Sequence, residues 1–442
     1  MFSRRHRRPK SAELLKAWEC LDAGDIPGAV RLLRTAGEDL PLGEVALVAG
    51  RAAKAAGFDD LDRAAAAVAA VAARPSDDRA LYDFGYACIE RGLSFLAVPA
   101  LREVLTRNPG ALQVMRELVA AYESENRHGE AVELLARHES GFEEWPDRYL
   151  LVFNAIMAGE LALANRQYAL LPEPEDPMWL PAHQRQRHML ERAASAGPVS
   201  ALDRTDLRGW QFVMGGTVLG ALSPFGFGAG MNGRYAWLQD SYGECLQGLL
   251  RLKALLDAAG VRPRSVSLLP DRSSRILGLA AAELLGLPAE PFAPGREDTV
   301  VIAYDLNELA AVDEGPEILG QLHGRVPGQV LHEHASSWTD PPVITADSVA
   351  LLRQAVVAPW DGQLRAGEGG EVERAGADER PDALIAAEIV GADPSPNEGD
   401  GETPADPDER FTEFVTAVRG SWLRGERTGL KSTGPVPSSK FA

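Results

Sequence analysis

Several features are scarce in this sequence, and each scarcity excludes a class of protein. Only three cysteines occur among 442 residues, at positions 20, 88 and 245. An odd and widely scattered set gives neither a disulfide framework nor a paired-cysteine metal knuckle, so we expect a reducing compartment. No apolar run reaches the roughly 18 uninterrupted residues of a membrane span, and we expect no membrane segment.

Positive charge is scarce as well. Forty-five lysines and arginines stand against 64 acidic residues, for a net charge of -19. Binding to a phosphate backbone needs a basic face, so we expect no broad nucleic-acid surface. A local basic spot spans Arg4 to Lys10, but no apolar stretch follows to make it a secretory signal. We interpret residues 1–9 as a basic flexible tail, with an address or anion-binding arm as the alternative, and predict a cytoplasmic protein.

The most informative feature present is a repeat. A turn-forming residue recurs about every 34 residues, each time ending one helical run and opening the next. These residues are Gly24, Gly57, Gly92, Asn126 and Gly159. Glycine, or asparagine in its place, is what a left-handed helix C-cap accepts at low steric cost. Five such residues in one phase predict five turns between paired helices.

Other positions repeat in the same phase. The third copy is the clearest and contains Leu81, Phe84-Gly85, Cys88, Gly92, Ala97, Leu101 and Pro109. The set resembles the tetratricopeptide repeat. That resemblance implies a solenoid of helix pairs over residues 10–197, with the polar segment from Met178 to Ala196 as its capping helix. It also implies a concave groove, lined by the first helix of each pair, that takes a protein or peptide partner.

The family's groove positions can be carried onto these copies. Those with aromatic or basic side chains are Trp18, Arg51, Lys54, Tyr82, Tyr86, Arg116, Tyr149 and Phe153. The predicted lining is therefore aromatic and cationic, a composition that binding hot spots favour. The alternative is that these aromatics pack in the core of the solenoid. The Lys/Asn clamp for a C-terminal carboxylate is not matched, which disfavours a chaperone-tail receptor.

Past Pro198 the pattern changes to short apolar runs, glycine-rich loops and helices. Strands are predicted at 209–214, 265–270, 299–305 and 328–332, with helices at 235–259 and 273–285. Strand–helix–strand alternation predicts an α/β domain over 198–361 with a mainly parallel sheet.

Polar residues follow two of these strands, where open parallel sheets bind ligands. They are Asp271, Arg272, Ser273, Ser274, Arg275, Tyr304 and Asp305. We predict an anion or ligand site for a phosphate-bearing small molecule there, although helix capping by the serines needs no ligand. The pattern vaguely resembles a phosphoribosyltransferase, but the second acid and the Thr-Gly loop of that family are missing after Asp305.

A metal site has weaker support. His332 and His334 would share one face of a strand and Asp340 follows, but no spacing fixes a third ligand. We therefore predict no metal and no cofactor. No nucleophile motif occurs, and the sequence does not decide whether the domain is an enzyme.

The C-terminal part is acidic and rich in glycine and proline. Residues 362–409 are interpreted as a linker, and 410–442 as an amphipathic helix with a flexible tail, the helix docking on the same chain. The leading hypothesis is a repeat-containing scaffold or adaptor that positions a protein partner for an α/β domain. The alternative is an enzyme or pseudoenzyme of phosphoribosyltransferase-like fold, with the repeats recruiting its substrate.

Overall fold

The computed structural model describes residues 8–71, 77–367, 371–401, 403–430 and 432–438. The chain divides into two compact units, Met1–Pro172 and Glu173–Ala442. Most of the predicted basic tail, including Arg4, lies outside the described residues, as do residues 439–442.

The described part of the first unit contains ten α-helices in five consecutive pairs. They are α1 (Ala12–Asp22), α2 (Ile26–Thr35), α3 (Leu42–Ala56), α4 (Asp59–Val71), α5 (Asp78–Glu90), α6 (Ser94–Arg107), α7 (Leu112–Ser124), α8 (His128–His138), α9 (Tyr149–Ala158) and α10 (Leu161–Tyr168). Each helix packs against the next in sequence, and α1 also contacts α3 as α5 contacts α7. This is the predicted tetratricopeptide-like arrangement, in which first helices lie beside first helices.

The five predicted turn residues all adopt left-handed backbone conformations. Their φ angles are +81°, +78°, +69°, +56° and +81°, in chain order. At Gly57 the end of α3 closes in a Schellman motif, in which the Phe58 amide donates to the Ala53 carbonyl at 2.8 Å. The period in the sequence therefore corresponds to a real backbone requirement.

The small residues of the repeat pattern are explained by the close approach of paired helices. Ala29, Ala97, Ala131 and Ala164 are all fully buried. A Cβ atom added at Gly85 would lie only 2.7 Å from the side chain of Leu101, so only glycine lets α5 approach α6 this closely.

The second unit contains the α/β fold. Its described helices are α11 (Leu180–Ala196), α12 (Leu207–Gly215), α13 (Tyr242–Ala259), α14 (Arg272–Leu285), α15 (Leu306–Ala310), α16 (Gly315–His323), α17 (Asp382–Val390) and α18 (Asp408–Val418). Its described strands are β1 (Val218–Leu219), β2 (Tyr235–Gln239), β3 (Ser265–Leu268), β4 (Ala289–Pro291), β5 (Thr299–Ala303), β6 (Val330–Ser337), β7 (Ser348–Val357), β8 (Leu364–Ala366) and β9 (Val372–Arg374). The helix α11 packs against α12 and α18, so it belongs to this unit rather than capping the solenoid as predicted.

The described strands β1 to β7 form one sheet, in the order β1-β7-β6-β5-β3-β4 with β2 beside β7. The pairings in this sheet are parallel, as in the register Val300↔Val330 and His332↔Ser348. The prediction of a mainly parallel sheet is confirmed. Helices α13, α14, α17 and α18 contribute to one hydrophobic core with the sheet.

Two secondary-structure predictions in this unit were wrong. Residues 209–214 form part of α12 and not a strand, because the Asp206 carboxylate caps the helix by accepting the Gly209 amide at 2.9 Å. Residues 207–214 are buried throughout, which hides the helical period. The predicted long helix at 235–259 is divided into β2 and α13, with Ser241 as the helix N-cap.

Parts of the acidic segment 362–409 are folded and packed where the structure describes them, which differs from the predicted linker. The segment contains an antiparallel β8–β9 hairpin and α17, whose Ile385 and Ile389 are fully buried. Asp406 is buried in an ion pair with Arg208, at 2.6 Å. The acidic composition predicted a linker, because the sequence does not show that an acid such as Asp406 pairs with an arginine from a distant part of the chain. The helix α18 packs on α11 and α13 of the same chain.

None of the helices in the described ranges is both long enough and apolar enough to cross a bilayer.

Candidate functional site

Polar side chains link α5, α7 and α9, which are the first helices of the last three repeats. We call the face of these helices that carries Tyr82, Tyr86 and Phe153 the first-helix surface. Tyr82 on α5 hydrogen-bonds with Gln113 on α7. Further along α7, Glu123 accepts a hydrogen bond from the Asn154 amide of α9 at 2.6 Å. These two hydrogen bonds therefore link the first helices α5, α7 and α9 to one another.

Two stacked aromatic pairs lie on this surface. The rings of Tyr82 and Tyr86 are 6.4 Å apart, and those of Tyr149 and Phe153 are 6.5 Å apart. Tyr86 is 45% exposed, and Tyr82 and Phe153 are partly exposed, whereas Tyr149 is only 8% exposed. Trp18 is 5% exposed under the Arg51 guanidinium, which lies 4.3 Å from its ring. Trp18 and Tyr149 are thus mainly core residues, as the alternative interpretation holds.

The predicted cationic character of this lining is largely neutralised. Arg51 pairs with Asp22 at 2.5 Å. Arg116 pairs with Asp147 at 2.7 Å and with Glu143 at 2.9 Å. Lys54 is exposed. The acidic partners of both arginines belong to the repeats themselves. These acids do not lie at the predicted groove positions, so the groove prediction did not include them.

Two glutamates on α7 give the same surface a different character. Burial raises the pKa of Glu117, and the neighbouring Glu90 carboxylate adds to that rise. Burial also raises the pKa of Glu123, against the effect of its hydrogen bond from Asn154. Among the described residues neither glutamate forms an ion pair with a lysine or arginine. The surface between α5 and α9 is therefore aromatic and acidic.

The second candidate region is the carboxyl edge of the sheet. Asp271, after β3, caps α14 by accepting the Ser274 amide at 2.9 Å. The Ser274 hydroxyl in turn accepts the Tyr304 amide at 2.9 Å, which ties the end of β3 to the end of β5. Asp305 caps α15 and pairs with Arg353 of β7. The Ser273 hydroxyl accepts the indole N–H of Trp360 at 3.2 Å.

The two arginines that were predicted to bind an anion form ion pairs with a carboxylate of the protein itself. Arg272 and Arg275 both pair with Asp382 of α17, at 3.2 Å and 2.7 Å. Near them a cavity of about 510 Å³ lies beside the ends of β3 and β4, lined by Arg275, Phe292 and Ile318 among others. The structure brings the predicted residues to one edge, but it engages both arginines within the fold.

Carboxyl groups dominate the electrostatics of this edge. Burial raises the pKa of Asp305, and Arg353 only partly offsets it. Burial raises the pKa of Glu308 to about 7, with Asp305, Asp271 and Asp361 adding to the rise. A dianionic phosphate would meet like charge here, which costs free energy.

A third group of polar side chains is buried at the start of α13. The Tyr304 hydroxyl donates to Asp240 Oδ2 at 2.8 Å, and His334 Nε2 lies 3.0 Å from the same oxygen. Cys245 Sγ lies 3.4 Å from Asp240 Oδ2 and 3.9 Å from His334 Nε2. We call Asp240, Cys245 and His334 the buried triplet; the three side chains have essentially no exposure.

The triplet differs from the histidine pair considered from the sequence. His332 lies on β6 beside Ser348, 3.1 Å from its hydroxyl, and Asp340 follows the end of the strand. His334 instead meets Asp240 and Cys245, which come from about 90 residues earlier in the chain. Sequence reasoning missed both because Asp240 lay inside the predicted helix 235–259.

The triplet does not have the geometry of a cysteine nucleophile with a relay. In such a relay one imidazole nitrogen contacts the thiol and the other contacts the carboxylate. Here Nε2 faces both groups. Burial, together with Asp240, raises the pKa of the Cys245 thiol well above its usual range, which also opposes a reactive thiolate.

No protein-family model matches the chain, and no curated protein matches it. Among solved structures, two of MamA AMB-1 are similar to part of it. The first is 23% identical with a TM-score of 0.22, covering 36% of this chain and 96% of that chain. The second is 22% identical with a TM-score of 0.23, covering 36% of this chain and 86% of that chain. The tetratricopeptide-like description of the first unit rests on its own phased helices and turns.

Proposed function

We propose that the protein is an adaptor whose helical repeats bind a protein or peptide partner and position it for the α/β unit. The observation that carries the proposal is the stacked Tyr82–Tyr86 pair on α5, in which Tyr86 is 45% exposed, together with the partly exposed Phe153 on α9. Aromatic side chains bury a large area at small entropic cost, which makes them typical anchors for a partner.

The chemistry of the surface indicates what the partner segment contains. Glu117 and Glu123 supply acids among the aromatics, while Arg116 is already paired with Asp147. A segment with lysine or arginine beside apolar side chains would complement both features, because each ammonium or guanidinium would favour the charged form of a glutamate. We therefore propose an extended, basic and apolar peptide as the occupant.

Selection of a displayed peptide library against the full chain tests this proposal. We expect enriched peptides to combine basic and apolar residues. The double change Tyr82→Ala, Tyr86→Ala should weaken their binding by about tenfold or more in fluorescence anisotropy. The matched control is Phe225→Ala, which removes an aromatic that is 63% exposed in the second unit.

Two results would contradict the proposal. One is unchanged peptide binding by the double variant while its helical circular dichroism is intact. The other is equal loss in the Phe225→Ala control. The changes Glu117→Gln and Glu123→Gln test separately whether the partner segment is basic. They should reduce the preference for basic peptides and leave apolar contacts in place.

The sequence also led to a second proposal, an enzyme or pseudoenzyme that binds a phosphate-bearing small molecule at the sheet edge. The observation that favours it is a cavity of about 510 Å³ that Arg275 lines, at the sheet edge where Asp271, Ser274 and Tyr304 are joined by hydrogen bonds. Binding would require Arg275 to leave Asp382. Thermal-shift measurements with sugar phosphates and nucleotides, with and without Mg²⁺, test it, and no shift with any of them would reject it.

A further inference from the structure

We infer that the buried triplet is a binding site for one divalent transition-metal ion, of the class to which Zn²⁺ and Co²⁺ belong. Asp240 follows β2, Cys245 lies in the first turns of α13, and His334 lies on β6. Three elements from distant parts of the chain thus aim an oxygen, a sulfur and a nitrogen at one point. Carboxylate, thiolate and imidazole are the ligands that Zn²⁺ takes in proteins.

The distances between the three donors fit a common ion. Oδ2, Nε2 and Sγ are separated by 3.0 Å, 3.4 Å and 3.9 Å. Ligands at zinc bond lengths of about 2.0–2.3 Å and tetrahedral angles lie about 3.3–3.6 Å apart. Each observed separation is within about 0.5 Å of that range. With bonds of about 2.0 Å to Oδ2 and Nε2 and about 2.3 Å to Sγ, these separations correspond to angles of roughly 95–130° at the ion, so a tetrahedral ion needs no large rearrangement.

The charges favour an added cation. Asp240 is fully buried, and among the residues that the structure describes no lysine or arginine pairs with it. A buried carboxylate without a permanent cation loses solvation free energy that no fixed positive charge returns. A divalent ion would displace the Cys245 thiol proton to solvent, so that one carboxylate, one thiolate and one neutral imidazole balance its two charges.

The surroundings complete the site. The side chain of Glu244 hydrogen-bonds with Asp240 and is only partly buried, so it can orient that carboxylate from the solvent side. The Tyr304 hydroxyl orients Asp240 from the other side, at 2.8 Å. A Cβ atom at Gly248 would lie 2.8 Å from His334 Nδ1, so the glycine lets α13 press the imidazole into place. Contacts of this kind, made to the ligands and not to the ion, hold metal ligands in the orientation that binding requires.

Cobalt binding to the full chain tests the site. The chain is stripped with a chelator under reducing conditions and titrated with Co²⁺ alone. We expect saturation at about one ion per chain, with the near-ultraviolet charge-transfer band that a thiolate–cobalt bond produces. Cys245→Ser should lose the band, whereas Cys88→Ser, which changes a buried cysteine of the other unit, should keep it. Glu244→Gln should weaken binding by about tenfold or more.

The inference is wrong if the folded wild-type chain binds no stoichiometric cobalt, or if the band survives Cys245→Ser. X-ray absorption on zinc-loaded wild-type chain gives a second test that does not depend on the folding of any variant. One sulfur and two or three nitrogen or oxygen neighbours would support the site, and a shell without sulfur would reject it.

Discussion

The ionisation of Glu308 gives the most quantitative prediction for the second unit. This carboxyl lies on α15 near Asp305 and Asp271, with Ser273 as its hydrogen-bond partner. Burial raises its pKa from 4.5 to about 7. Between these pH values the folded chain binds more protons than the unfolded chain, so the free energy of unfolding falls as the pH rises.

The size of this effect on the free energy of unfolding follows from how far the pKa of Glu308 is raised. A pKa raised from 4.5 to about 7 corresponds to about 3 kcal/mol at pH 8. Partial exposure of the carboxyl reduces the expected effect to about 2 kcal/mol. Glu308→Gln removes the ionisation but can keep the bond to Ser273. We expect its gain in stability over wild type to be about 2 kcal/mol larger at pH 8 than at pH 5.

Urea unfolding of both proteins at the two pH values, followed by tryptophan fluorescence, measures this difference. The control is Glu283→Gln, which changes an exposed glutamate of α14 and should show no such pH dependence. An equal effect of Glu308→Gln at pH 5 and pH 8 would show that the carboxyl ionises normally and would refute the burial argument.

The remaining stability predictions concern the repeat and the C-terminal segment. Gly57→Ala should destabilise the first unit by about 1 kcal/mol in urea unfolding, because the φ of +78° penalises a Cβ atom, while Gly37→Ala, outside the left-handed region, should change little. Asp406→Asn should cost about 3–5 kcal/mol, because it leaves the buried Arg208 without its carboxylate, whereas Arg251 keeps Asp408 as a partner. The exposed Asp393→Asn is its control, and equal melting curves for the two variants would contradict the burial of Asp406.

A structural element was predictable from the sequence where the residues that determine it are neighbours in the chain. The turn at Gly57 was predictable because a left-handed C-cap is written in one residue and repeated in phase. The strand β5 was predictable from a short apolar run bounded by polar residues. The helix α12 was not, because burial on all sides removes the helical period.

The candidate sites show the same limit. The edge formed by Asp271 and Tyr304 was predictable, since carboxyl ends of parallel strands meet. The pairing of Arg275 with Asp382, about 100 residues apart, and the meeting of Cys245 with His334 depend on long-range packing. The Ser241 N-cap was the local signal that could have separated β2 from α13 and drawn attention to Asp240.

Position-specific photocrosslinking shows whether a bound peptide lies on the first-helix surface of the repeats. A photoreactive phenylalanine replaces Tyr86 on the exposed first-helix surface, or Glu133, an exposed residue on the second helix α8, in the full chain. With a selected basic and apolar peptide, we expect a discrete adduct from position 86 and none from position 133. Adducts from both positions, or from position 133 alone, would contradict binding on the first-helix surface.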